Sequence, residues 1–184
     1  MIIINKLKSK FLIITLTTTC LVLFILISLT LYNEIFGLRY FAMNSPKFTV
    51  EDCTNGKYSK EILLAVTAWN YSSDDVFIEI VEESPNKICC QYIENEDWYG
   101  VYEPEFVNCF NADSFTITLN DWAIQYLTED AIVGTLVHEL GHALSLVDNP
   151  IFTTYDESIM NYYRNRNNYM PRSYDVKKVE NFYN

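Results

Sequence analysis

Residues 128–148 read TEDAIVGTLVHELGHALSLVD, and this stretch decides the fold. Ile132, Val133, Leu136, Val137, Leu140 and Leu144 recur at helical spacing on one side, which predicts an amphipathic helix over residues 128–146. Thr128, Glu129 and Asp130 suit its N-terminus, where a hydroxyl caps and acids meet the positive end of the dipole. Inside the helix stands His138-Glu139-Leu140-Gly141-His142. Two histidines four apart project from one face about one turn from each other, so both imidazoles can reach a single metal ion. Glu139 lies beside them, close enough to hold a water at that metal without being a ligand. Chance places such a pattern in a chain of this length on the order of 1 time in 100 or less. The chain has 2 histidines, both in this motif, so a third protein ligand must be a carboxylate, a thiolate or a backbone group. Asp148 is the best placed, six residues after His142 and past the helix end; Asp156, Glu157 and Cys109 are the other candidates.

Upstream, helix and strand alternate. SKEILLAVTAWNY, residues 59–71, puts Ile62, Leu63, Ala65, Val66 and Trp69 on one helical stripe, opened by Ser59 as an N-cap. VFIEIVEE, residues 76–83, alternates Val76, Ile78 and Ile80 inward against Phe77, Glu79 and Val81 outward, a strand. Residues 84–113 are irregular and acidic, carry Pro85 and Pro104, and are expected to hold short strands stapled by disulfides. SFTITLN, residues 114–120, is a further strand, with β-branched Thr116, Ile117 and Thr118 fitted to a pleated surface.

The N-terminus reads differently. Residues 11–32 form an uncharged, largely apolar run preceded by Lys6, Lys8 and Lys10. That length suffices for a helix to cross the roughly 30 Å hydrocarbon core, and the lysines mark its cytoplasmic end. The organisation expected is therefore a cytoplasmic N-terminus over 1–10, a transmembrane signal-anchor over 11–32, a stalk over 33–56 and a globular domain over 57–184. The domain would face away from the cytoplasm, on a single-pass membrane protein or, where the leading segment is cleaved as a signal peptide, secreted. Beyond residue 32, 10 Lys+Arg stand against 24 Asp+Glu, a net of −14. A surface so acidic repels phosphate backbones, which excludes nucleic acid as a partner. Four cysteines lie beyond the apolar run, Cys53, Cys89, Cys90 and Cys109, an even number that in an exported domain implies two disulfides. Adjacent cysteines rarely close on each other, so Cys89 and Cys90 are expected to pair separately with Cys53 and Cys109, in either order.

HELGHALSLVD resembles the extended pattern of the metzincin metallopeptidases, and within them the matrixin-like group: His-Glu-x-x-His-x-x-Gly-x-x-His or Asp. The resemblance implies His138 and His142 as zinc ligands, Glu139 as general base and Asp148 as third ligand, aspartate in that place being what the snapalysin branch uses. Ser145 departs from the pattern, standing where the family has glycine; it would need a positive φ, at a cost of roughly 1 kcal/mol over glycine. Twelve residues past Asp148, Ser158-Ile159-Met160-Asn161-Tyr162 resembles the family's Met-turn, with Met160 as an apolar floor under the metal. DVKKVENFY, residues 175–183, is similar to the closing helix, AVTAWNY to the first helix, and FTITLN to the edge strand that receives substrate. Residues 33–56 lack a latency motif, and Cys53 is expected in a disulfide instead of on the metal.

The fold so implied is α+β (α/β), a metzincin-like or zincin-like catalytic domain with a small mixed twisted sheet, an active-site helix and a C-terminal helix, behind one transmembrane helix. The function implied is that of a membrane-anchored zinc metalloendopeptidase with one catalytic ion. A zinc-activated water would attack a peptide carbonyl, with Glu139 passing the proton and Tyr162 hydrogen-bonding the oxyanion. Partners would be a peptide or protein substrate and, through the N-terminal helix, a lipid bilayer. The competing reading is a membrane-tethered, noncatalytic zinc-binding or peptide-binding module on the same fold; a structural zinc protein fails because structural sites are closed by four ligands.

Overall fold

The computed structural model describes residue 22 and residues 42–105, 111–149, 158–161 and 169–184. Among them no helix is long and apolar enough to cross a membrane, and the span expected over 11–32 lies outside them except for Val22. The described residues from 42 onward fall in one compact unit.

Among the described residues, five strands form one mixed sheet. They are β1 (Lys47–Asp52), β2 (Phe77–Val81), β3 (Lys87–Gln91), β4 (Gly100–Glu105) and β5 (Ser114–Asn120), in the order β2-β1-β3-β5-β4. All neighbours are parallel except β4, which runs antiparallel to β5 along one edge. The helices are α1 (Ser59–Ser72), the short α2 (Asp121–Ile124), α3 (Glu129–Ala143) and α4 (Ser173–Tyr183).

Two expectations change here. The stretch 33–56, expected as a stalk, contains β1, which is paired on both sides. Only Val50 of this strand is fully buried, so its alternation is too faint to read against flanking charges; pairing between two strands, not its own pattern, makes it a strand. SFTITLN is β5 and lies inside the sheet between β3 and β4, so the edge on that side of the sheet belongs to Gly100–Glu105. Pro104, which argues against a central strand, is tolerated because β4 sits at that edge.

The chain passes from β2 to β3 across the end of β1, and β1 meets β3 over only two residues, Glu51↔Lys87 and Asp52↔Ile88. Thr49 O accepts from Asn86 Nδ2 at 2.9 Å and from Ser84 Oγ at 3.0 Å, tying that crossing down. A disulfide between Cys53 and Cys89, with Cα atoms 4.8 Å apart, clips the short overlap. Cys90, on the alternate side of β3, is a free half-buried thiol that burial pushes above its usual pKa; Cys109 lies outside the described residues, so the second expected bridge does too.

Helix α1 buries Ile62, Ala65, Val66, Ala68 and Trp69, whereas Leu63, one position off the stripe, is exposed. Its start also differs from expectation. Tyr58 is the N-cap residue, and the Ser59 hydroxyl donates to Asp52 instead of capping. Burial raises the Asp52 pKa, but donation from Ser59 and from the Thr54 hydroxyl and N–H outweighs it and leaves the carboxyl below its ordinary value. At the far end the Asn70 amide makes two 2.8 Å bonds to the Ile78 backbone, joining α1 to β2.

Helix α3 is buried all round from Ala131 to Ala143, which places it in the interior and not at the surface. It packs on α1 and β4. Trp69, fully buried, donates its Nε1–H to Val137 O at 2.9 Å and so joins α1 to the turn that precedes His138. Replacing Trp69 by alanine removes the largest side chain between the two helices, and we expect a loss of about 3–5 kcal/mol in denaturant unfolding, against under 1 kcal/mol for Leu63→Ala on the exposed side.

Candidate metal centre

Helix α3 begins with Thr128 as N-cap, its hydroxyl accepting from Ala131 N–H at 3.3 Å, and ends by reversing direction. Leu144 is the C-cap residue and Ser145 adopts φ +78°. Ser145 N–H donates to His142 O at 3.0 Å and Leu146 N–H to Gly141 O at 2.8 Å, the paired bonds of a Schellman turn. A serine thus occupies the left-handed position that the sequence pattern assigns to glycine.

The reversal brings Asp148 back over the helix. Its Oδ1 lies 3.1 Å from His138 Nε2 and 3.9 Å from His142 Nε2. The three ligand atoms all lie within 4.8 Å of one another, a group that could hold a metal ion. Ligands at 2.0–2.1 Å from a tetrahedral zinc stand about 3.3 Å apart, and the two measured separations bracket that figure. The imidazoles meet edge to face, centroids 4.8 Å apart at 85°. His138 Nδ1 is 3.0 Å from Ile159 O and His142 Nδ1 is 2.9 Å from Leu146 O. Carbonyls only accept, so each Nδ1 carries a proton, which leaves Nε2, the atom facing Asp148, as the nitrogen available to a metal. Both histidine side chains are about 5% exposed or less against 34% for Asp148, so the site opens to solvent on the aspartate side. Tyr102, from β4, tilts over His142 with centroids 6.1 Å apart, and burial raises its phenol pKa, keeping it neutral.

Beneath the helix lies the turn Ser158–Asn161. A Cβ built on Gly141 would come 2.7 Å from Met160 Sδ, so the thioether packs directly against the backbone between the two histidines. Asp175, on α4 and 0% exposed, holds this turn. It accepts from the Ser158 hydroxyl at 2.5 Å, Ile159 N–H at 3.1 Å and Arg172 N–H at 2.9 Å. The carbonyl of the same residue, Ile159, receives the His138 Nδ1–H. Asn149 N–H donates to Met160 O at 2.9 Å, fastening the turn to the residue after Asp148.

The comparisons with known proteins bear on the fold. No protein-family model matches the sequence, and no curated protein matches it. The fold is similar to the solved structure of myroilysin, with a TM-score of 0.52 and 15% identity, over 79% of this chain and 96% of that one. The fold is metzincin-like. At that identity the likeness concerns architecture alone.

The residues expected from the sequence therefore gather as follows. His138, His142 and Asp148 converge, Glu139 is buried beside them, and Met160 lies below. Tyr162, Asp156, Glu157 and Cys109 lie outside the described residues. Cys53 is in a disulfide and so offers no thiol to a metal. Sequence reasoning passed over Asp175, whose only signal is an acid at a position of α4 that its apolar spacing turns inward, four before Val179.

Two measurements follow from this geometry. Ser145→Gly is expected to raise stability by about 0.5–1 kcal/mol in thermal unfolding, because glycine takes φ +78° without a Cβ clash; a loss would show that the serine side chain stabilises the turn. Asp175→Ala leaves the Ser158 hydroxyl and Ile159 N–H buried without their acceptor and is expected to cost about 3 kcal/mol or more, with Asp175→Asn intermediate.

Proposed function

We propose that the chain is a zinc-dependent metalloendopeptidase of matrixin-like type, with His138, His142 and Asp148 as metal ligands and Glu139 as general base. The observation that carries this reading is the convergence of two imidazole Nε2 atoms and one carboxylate oxygen, all within 4.8 Å, on a helix that places a buried glutamate next to them. Three ligands leave an open coordination position, which suits catalysis and not a structural role.

Zinc held there supplies Lewis-acid polarisation of a peptide carbonyl and lowers the pKa of water. The chain's own groups do the rest. The carbonyls of Ile159 and Leu146 hold the proton on each Nδ1 and orient both imidazoles. Glu139 takes a proton from the attacking water and delivers it to the nitrogen of the leaving amine. Tyr162 hydrogen-bonds the oxyanion, a role that rests on its place after Met160 in the sequence. Substrate adds in extended form to the free edge of β4, next to Glu139, instead of to β5. The acidic surface steers neutral or basic peptides towards this edge. Export belongs to the same proposal, with residues 11–32 as the anchor: the lysine-flanked apolar run and the Cys53–Cys89 disulfide both suit a domain outside the cytoplasm.

The test is cleavage of unfolded casein by the detergent-solubilised full chain, with bound zinc quantified. The parent is expected to cleave and a chelator to stop it. Glu139→Ala should keep its zinc and lose about 10²–10⁴-fold in kcat. Asp148→Ala should weaken zinc binding by about 100-fold or more, since it removes a ligand outright where loss of a supporting contact already costs 10–100-fold. If parent and Glu139→Ala both bind one zinc and neither cleaves, the noncatalytic zinc-binding module takes the place of the enzyme.

A further inference from the structure

The edge strand β4 begins at Gly100, in register with Leu119 of β5. A glycine inside a strand ordinarily weakens it, so its presence calls for a reason. Backbone conformation is not that reason, because Gly100 is not among the positive-φ residues. Space is. A Cβ at residue 100 would stand 2.9 Å from Thr135 Cγ2, 3.1 Å from Glu139 Cγ and 3.3 Å from Glu139 Oε1. The edge strand and α3 are thus in contact at the one residue of β4 without a side chain, and the group they close upon is the glutamate of the metal centre.

We propose that Gly100 is a positioning residue for Glu139: the missing side chain lets β4 seat against α3, and the strand backbone forms the wall that holds the glutamate stem in place. This rests on the reading of Glu139 as general base. Thr135 is the second half of the contact. It is buried, its hydroxyl donates to Ala131 O at 2.9 Å within α3, and only its methyl faces the glycine. Serine at 135 keeps the hydroxyl bond and removes that methyl. A side chain on residue 100 therefore meets two obstacles that can be relieved separately: the threonine methyl, which governs how closely the strand docks, and the glutamate stem, which governs where the carboxylate sits.

The experiment makes Gly100→Ala in the parent, in Thr135→Ser and in Glu139→Ala, using the detergent-solubilised full chain, and reads thermal unfolding, bound zinc, and kcat and KM on casein. In the parent background Gly100→Ala should lower Tm by several degrees, as expected for an overpacked interior. Each of the other two backgrounds should shrink that shift, since each removes one of the atoms met. Catalysis separates positioning from mere packing. Relative to Thr135→Ser alone, the Gly100→Ala, Thr135→Ser double variant should regain most of its Tm and keep one zinc and its KM. Its kcat should remain about tenfold lower, because a displacement of a few tenths of an ångström at the base persists. Recovery of kcat together with Tm would overturn the proposal, as would a Gly100→Ala shift of equal size in all three backgrounds. A parent that binds zinc and cleaves nothing would sink the peptidase reading instead, while the stability comparison with Glu139→Ala still decides whether Gly100 holds the glutamate.

Discussion

Burying two imidazoles in the middle of a helix obliges the chain to supply an acceptor for each Nδ1–H, and much of the site's construction follows from that obligation. The acceptor for His142 is Leu146 O, which can reach back only because Ser145 turns left-handed. The acceptor for His138 is Ile159 O, which is in place only because the turn Ser158–Asn161 is pinned under the helix. That turn in turn depends on Asp175, a buried acid on the last helix, which accepts from the N–H of Ile159, the residue whose carbonyl binds the histidine. His138 and Asp175, 37 residues apart in the chain, are thereby joined through the backbone of one residue, Ile159.

Close approach is the second constraint. Gly141 stands where a Cβ would meet Met160 sulfur, and Gly100 where it would meet Thr135 and Glu139. Neither needs glycine for its backbone angles. Both leave out a side chain so that another element can come into van der Waals contact with the helix, from below in one case and from the sheet edge in the other. With α1 packed on α3 through Trp69, the motif residues are held by packing on several sides.

Legibility in the sequence follows physical range. The helix bearing the motif, its N-cap at Thr128, and the meeting of His138, His142 and Asp148 depend on helical period and on a turn six residues long, all local. Even the serine in the glycine position could be anticipated, because the need for a positive φ there is a local requirement. Short strands within 84–113 could be anticipated too, but not that one of them, Gly100–Glu105, forms the edge. Residues 100–105 carry a glycine, two glutamates and a proline, and nothing in their pattern distinguishes them from the irregular segment around them. The run 114–120 resembles an edge strand in sequence, but it pairs on both sides, and Phe115, Ile117 and Leu119 alternate onto its buried face.

By itself, then, the sequence determined which side chains could share a metal, since a 3.6-residue repeat and the tautomer chemistry of imidazole are properties of short segments. Tertiary structure alone decided which strand lies at the sheet edge beside Glu139, that residues 47–52 join the sheet, that Cys53 bonds Cys89, and that Asp175 and Gly100 pack against the residues of the site. The reason is that each of these depends on a partner dozens of residues away, on a hydrogen bond or an empty volume that no local pattern encodes.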